Sequence, residues 1–404
     1  MCNGTARPPC HQVKDTGCSA AVCVQALQAP ACRLEWWQGR RGWKVVAGVV
    51  LGVTTVCYLL LALVSTPALV YLWDSLGLPT NITGSLCERC QQFRSTFLIG
   101  EENRCTVTDN VYLLVMVTSH HANVDARQGI RRTWGSLKHY KGLHIKTVFT
   151  FGVHEDKNLN NQLKFEQGKY GDIVQADFAD TYRTLTEKTV MSLQWAARYC
   201  PNAQFVMKTD DDSFNYIQRF MRFLSEENSN PHGEPFVGGR CFTVKPDRRV
   251  TSKYFIPPER YPDQYYPVYC AGPAYVLSMN AVSKILAVVD SVRYLPLEDV
   301  YITGFVRVAA DLHYTQIPGL LVAKENIGDC DLATWVTNTH QVSPAEMQAL
   351  WERARTVGET SGCRARDLYL MLLLNIVFIT TIGGCLVCMW KHRLRRRTLS
   401  LSDR

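Results

Sequence analysis

The sequence predicts an α/β domain with a mostly parallel central sheet, flanked by membrane-spanning helices, and three observations predict it. From Cys105 onward, short and nearly continuous apolar runs alternate with segments of helical spacing, the pattern of strands buried on both faces of a sheet covered by helices. Two uncharged apolar segments, 45–73 and 368–390, are each long enough to cross a bilayer, for which a helix needs about 20 residues. Basic residues cluster outside both of them.

At the N-terminal end, Arg7, Lys14, Arg33, Arg40, Arg41 and Lys44 against Asp15 and Glu35 give residues 1–44 a charge of +4. At the other end, Lys391, Arg393, Arg395, Arg396, Arg397 and Arg404 against Asp403 give residues 391–404 a charge of +5. The 346 residues between carry −1 of the chain's formal +8, so no nucleic-acid partner is expected. Basic flanks stay cytosolic. Both termini are therefore expected in the cytosol as tails, 1–44 and 391–404, with 45–73 an uncleaved signal-anchor and 368–390 a second span. A cleaved secretory signal is the alternative for the first, and its late start and length argue against it. Everything from 74 to 367 then faces a lumen or the outside: a stem over 74–108, a domain over 109–355 and a linker over 356–367.

Of the 16 cysteines, eight lie between the spans: Cys87, Cys90, Cys105, Cys200, Cys241, Cys270, Cys330 and Cys363. An even number in an oxidising compartment predicts disulfides of unassigned connectivity. The CERC pair has no second pair or histidines to complete a zinc site. Asn81, in Asn81-Ile82-Thr83, is the expected glycosylation site of the stem.

Within the domain, VYLLVMVT (111–118), KTVFTF (146–151), DIVQADF (172–178), QFVMKTD (204–210) and PFVGGRCF (235–242) read as strands. DARQGIRRTWG, LTEKTVMSLQWAARYC and SFNYIQRFMRFLSEE carry helical spacing between them. Sheets of this kind bind ligands beyond the carboxyl ends of their strands. Asp210, Asp211 and Asp212 fall at such an end, in QFVMKTDDDSFNY. Side chains alternate along an extended chain, so Asp210 and Asp212 point one way and Asp211 the other. Two carboxylates on one side suit a hard divalent cation that keeps positions open for a diphosphate. A solvated turn or a cap for the next helix would use the same residues. An EF-hand would not, because Phe214 and Asn215 occupy its fifth and sixth positions.

Five blocks in order, ARQGIRRTWG (126–135), DTYRTLTEKT (180–189), FVMKTDDDSF (205–214), YPVYCAGPAYVLS (266–278) and LEDVYITG (297–304), resemble the signatures of the β1,3-glycosyltransferase family over roughly residues 108–355. The resemblance implies a GT-A-type nucleotide-sugar transferase fold, a UDP-sugar donor (UDP-galactose or UDP-N-acetylglucosamine), a glycan acceptor on glycoprotein or glycolipid, Mn2+, inversion at the anomeric carbon and a Golgi membrane location. It implies Asp212 as a metal ligand, with Asp210 and Asp211 helping to hold the nucleotide ribose or orienting the site. His340, in NTHQVSP, becomes a second metal ligand or a structural histidine. Asp299 matches the catalytic base, with Glu298 its acidic neighbour; a helix cap is the competing role. Arg127 and Arg131, on one helix face, are donor-phosphate contacts or ordinary surface arginines. Other classes remain open: a silent relative that binds glycans or a partner, and a surface receptor.

The chain departs from the family pattern in four places. Gly272-Pro273-Ala274 replaces Gly-x-Gly, Thr184 replaces an asparagine, one extra residue separates Tyr301 from Gly304, and the second span is unusual. Alanine lacks the backbone freedom of glycine, so a reshaped loop is expected at Ala274.

Overall fold

The computed structural model describes residues 90–100, 105, 110–227 and 234–357, all within the second of two compact units, Thr80–Arg404. Among the described residues no helix is long and apolar enough to cross a membrane. The two expected spans, both tails and Asn81 lie outside them.

The folded unit reaches further toward the N-terminus than the expected boundary at 109. Strand β1 (Phe97–Ile99) pairs antiparallel with β5 (Ile173–Ala179), and Phe93 is buried with its amide on Asp290 at 2.9 Å. Part of the expected stem thus belongs to the domain: Phe97–Ile99 form a sheet edge, and Phe93 and Phe97 pack into the core.

Strand β2 (Val111–Thr118) is buried along its whole length. Leu114 and Met116 enter one hydrophobic core, and Leu113, Val115 and Val117 enter the other, as a period of two requires of a strand covered on both faces. Helix α1 (Val124–Arg132) follows, then the short β3 (His139–Tyr140), β4 (Leu143–Val153) and α2 (Lys157–Tyr170). Asp156 caps α2 by accepting from the Asn158 amide at 2.8 Å, and Gly171 ends it at φ 65°, a left-handed position that glycine takes without cost. After β5 comes α3 (Leu185–Tyr199), then β6 (Phe205–Asp210), β7 (Phe214–Asn215), α4 (Ile217–Arg222) and β8 (Val237–Phe242). Strand β9 (Tyr269–Ser278), α5 (Met279–Val288), a π-helix (Val300–Val306), β10 (Thr315–Gln316), α6 (Asp329–Thr334), β11 (Asn338–Thr339) and α7 (Pro344–Val357) complete the unit.

The main sheet runs β1-β5-β4-β2-β6-β9-β8-β10, with β3 on β4. Strands β2, β4, β5, β6, β8 and β10 share one direction, while β1, β3 and β9 oppose it. The expected mostly parallel sheet is present, with one reversed strand at its centre that the alternation of strands and helices did not foretell. The chain moves from β2 outward through β4 to β5 and then returns to place β6 on the other side of β2. This reversal of strand order makes the carboxyl ends of β2 and β6 the walls of a crevice. One core, against α3, α5 and the π-helix, lies under one face of the sheet; the other lies against α1, α4 and α7.

Two disulfides tie this frame. Cys105–Cys200 spans 95 residues, and Cys241–Cys270 joins directly opposed residues of β8 and β9. Cys90 and Cys330 are also disulfide-bonded. Cys87 and Cys363 lie outside the described residues.

Candidate active site

Strand β6 stays buried up to Thr209, and the three aspartates emerge at its end. Asp211 turns inward and accepts from the Ser119 hydroxyl at 2.7 Å and the Asn123 amide at 3.0 Å. Asp210 and Asp212 turn outward, their side chains 28% and 44% exposed, so the alternation expected of an extended chain holds through the turn.

The segment carrying His340 reaches this turn through main-chain pairing. Strand β11 pairs antiparallel with β7, and the Val342 amide donates to the Asp212 carbonyl at 2.8 Å. Between them the His340 Nε2 stands 3.0 Å from an Asp212 oxygen and 3.8 Å from an Asp210 oxygen. Burial works against the imidazolium, but the Asp212 hydrogen bond and the charges of Asp212 and Asp210 outweigh it and hold His340 above its ordinary pKa. Ligand atoms of Asp210, Asp212 and His340 all lie within 4.8 Å of one another, the one such group among the described residues. Two carboxylates and one imidazole, partly open to solvent, fit a divalent ion that keeps coordination positions for substrate oxygens.

Behind the acidic turn lies a cation the sequence reading left without a role. Lys208, buried on β6, donates to Asp210 at 2.7 Å and to the Gly272 carbonyl at 2.8 Å, and lies 3.3 Å from Glu298. Desolvation opposes its charge, yet Asp210 and Glu298 raise its pKa further than burial lowers it. Glu298 is buried and accepts from the Tyr275 hydroxyl at 2.5 Å; burial pushes it up to about 7 against the pull of Lys208. Asp299 is half-buried, with one oxygen accepting from the Gly272 amide at 3.0 Å and the other from its helix's Val300 amide at 2.9 Å. Burial raises Asp299 too, countered by Lys208 and by the two amides. The helix-capping contact is therefore real, and the same carboxylate is also fixed to β9.

Arg127 and Arg131 need correction as phosphate contacts. All five N–H donors of Arg127 are taken: Glu166 receives two, Ser119 one, and the His120 and His121 carbonyls one each. Its side chain is 1% exposed. Arg131 pairs with Asp172 and Glu166 at 2.8 and 2.7 Å and stacks on Tyr170 and Phe149. Both clamp α1 to α2, and Arg127 braces Ser119 behind Asp211.

The other blocks are frame as well. Asp180 and Lys188, the ends of DTYRTLTEK, form a buried ion pair at 2.6 Å, and Lys188 also holds the Ser119 carbonyl at 2.8 Å. The Trp134 indole donates to the Ser213 carbonyl at 3.0 Å and pins the chain just after the triplet. Thr184 closes its own turn on Ala179 and Thr181. Ala274 needs no special backbone, because it sits in β9 opposite Thr209; the expected reshaped loop is absent there. The extra residue before Gly304 lies in the π-helix, where the Arg307 amide reaches back five residues to Ile302. A widened turn absorbs one residue without shifting the helix ends.

A galactosyltransferase family profile matches residues 125–318. The chain is 36% identical to beta-1,3-galactosyltransferase 1 of Mus musculus over 256 residues, covering 63% of this chain and 77% of that one. It is 32% identical to beta-1,3-galactosyltransferase 2 of Mus musculus over 260 residues, 63% of this chain and 61% of that one. A solved galactosyltransferase in complex with donor and acceptor sugar analogues matches at a TM-score of 0.30 and 10% identity, covering 61% of this chain and 96% of that one. An acidic group at the reversal point of an α/β sheet, in a chain with these relatives, defines a glycosyl-transferring enzyme, a hexosyltransferase. The chain belongs to the β1,3-glycosyltransferase family.

Proposed function

We propose that the protein moves galactose or N-acetylglucosamine from a UDP-sugar to a glycan hydroxyl, forming a β1,3 bond with inversion on a GT-A-type fold. The observation that carries this reading is the grouping of Asp210, Asp212 and His340 beside Lys208, which links it through Gly272 to Asp299. Both relatives are named galactosyltransferases, so UDP-galactose is the first donor to test.

Asp210, Asp212 and His340 would hold Mn2+, whose chemistry is to neutralise the diphosphate and stabilise the departing UDP. Asp299 accepts the proton of the acceptor hydroxyl while that oxygen attacks the anomeric carbon. The bond to UDP breaks on the opposite face, its electron pair leaving on the phosphate oxygen. One displacement requires no enzyme nucleophile. Burial raises the basicity of Asp299, while two backbone amides fix its direction. Lys208 keeps Asp210 and Glu298 from repelling one another at close range.

The test is a panel of UDP-hexoses with free galactosides and N-acetylglucosaminides as acceptors, with and without chelator. We expect one donor to be transferred, with activity lost in chelator and restored by Mn2+. Transfer unaffected by chelator throughout the panel would contradict the metal assignment.

We further propose a Golgi membrane location with the catalytic domain lumenal and both termini cytosolic. The terminal basic clusters and the disulfides support it. Asn81 is then glycosylated while tags at either terminus are protected from protease in sealed vesicles. A glycan on a sequon engineered after Arg397 would overturn it.

A further inference from the structure

Two tyrosines from separate segments present their rings to solvent. Tyr182 is 44% exposed on the turn that leads into α3, and Tyr254 is 49% exposed on the long connection between β8 and β9. They come from segments some seventy residues apart, yet one ammonium joins them: Lys253 Nζ lies 5.6 Å from the Tyr182 ring centre and 4.9 Å from that of Tyr254. Burial, then Tyr254, then the Asp299 and Asp210 carboxylates push the Tyr182 hydroxyl upward. The turn bearing Tyr182 is tied to both parts of the site: the Arg183 carbonyl accepts from the Tyr294 hydroxyl at 3.0 Å, five residues before Asp299, and Asp180 pairs with Lys188, which holds the Ser119 carbonyl behind Asp211.

The connection bearing Tyr254 is built to hold its shape. Arg248 binds the carbonyls of Ile256 and Tyr261 at 2.7 and 2.6 Å. The Tyr266 amide reaches the Val244 carbonyl at 3.0 Å, Ile256 is buried, and Tyr261 stacks on Tyr266 at 5.1 Å. A fixed aromatic surface presented to solvent beside a reaction centre is what a ligand with an apolar face requires.

A pyranose ring is such a ligand. Its C–H face packs on an aromatic ring, and its hydroxyls and ring oxygen accept from an ammonium. We infer that Tyr182, Lys253 and Tyr254 form the subsite for the acceptor sugar, the two rings receiving its C–H face and Lys253 donating to its oxygens. This rests on the glycosyl-transfer reading and deepens it: a sugar seated there can turn a hydroxyl toward Asp299.

Saturation-transfer NMR on the full chain, with methyl β-galactoside and methyl N-acetyl-β-glucosaminide as probes, tests the subsite without turnover. UDP with Mn2+ in the same samples reads the donor site separately. We expect the parent to bind at least one glycoside. Tyr254→Ala is expected to weaken that binding about 3- to 10-fold, Tyr182→Ala/Tyr254→Ala to abolish it, and Tyr254→Phe to restore it, with UDP binding unchanged in all. Equal glycoside binding in the double alanine variant, or no glycoside binding by the parent, would overturn the subsite whether or not UDP binds. Loss of UDP binding in the parent alone would instead count against the donor reading.

Discussion

Asp299→Asn is expected to bind UDP with Mn2+, to melt close to the parent temperature and to transfer sugar roughly 10²–10⁴-fold more slowly, the range for loss of a general base. The asparagine keeps the size of the side chain and one acceptor oxygen. Its amide end meets the N–H of either Gly272 or Val300 and forfeits one of those two hydrogen bonds. A lost cap costs about 1 kcal/mol, too little to unfold the domain. Turnover and melting temperature, measured on the same preparation, separate the roles. Near-parent turnover with a lowered melting temperature would leave Asp299 as a cap only.

Lys208→Met has the largest expected effect on stability. Methionine retains most of the side-chain volume but leaves Glu298, Asp210 and the Gly272 carbonyl without the ammonium that all three face. Removing one partner of a buried charge pair costs about 3–5 kcal/mol. The pH dependence has a definite sign. Glu298 in the folded chain titrates near 7, above its ordinary 4.5, so its contribution is fully favourable below 4.5 and is lost as pH rises through 7. Without Lys208 its pKa moves higher still. The deficit of Lys208→Met in urea denaturation should therefore be smaller at pH 5 than at pH 8. An equal deficit at both values would show that the lysine acts through packing alone.

What could be read from the sequence and what could not divides along the range of the interactions. Strand β2, β6 and the facing of Asp210 and Asp212 follow from local periodicity, and the structure places them as expected. Strand β9 was not read as a strand, because Gly272 and Pro273 interrupt it. Pro273 is tolerated there because it lies past the last β6–β9 pair, Thr209 with Ala274, and within the irregular stretch of the β8–β9 ladder, so its missing N–H costs no regular pair. Arg127 and Arg131 were misread because their partners, Glu166 and Asp172, stand about forty residues away in sequence and meet them only in the fold. Lys208 did carry a signal. A lysine inside an apolar strand run is seldom buried unless it is paired, and three carboxylates at the end of that run supplied one partner. Glu298 and Tyr275, which complete the network, are distant in sequence and needed the structure.

The central claim is that Asp210, Asp212 and His340 form the metal-dependent end of a UDP-sugar site. It is tested most directly by titrating UDP into the parent, Asp212→Asn and His340→Ala proteins, each with and without Mn2+, by calorimetry. Asp212 is partly exposed and its main-chain contact to Val342 does not use the side chain, so the asparagine variant should fold. Mn2+ is expected to strengthen UDP binding to the parent, Asp212→Asn to lose this strengthening, and His340→Ala to retain part of it. Equal Mn2+-dependent UDP binding by the parent and by Asp212→Asn would contradict the claim and leave the triplet as a solvated turn.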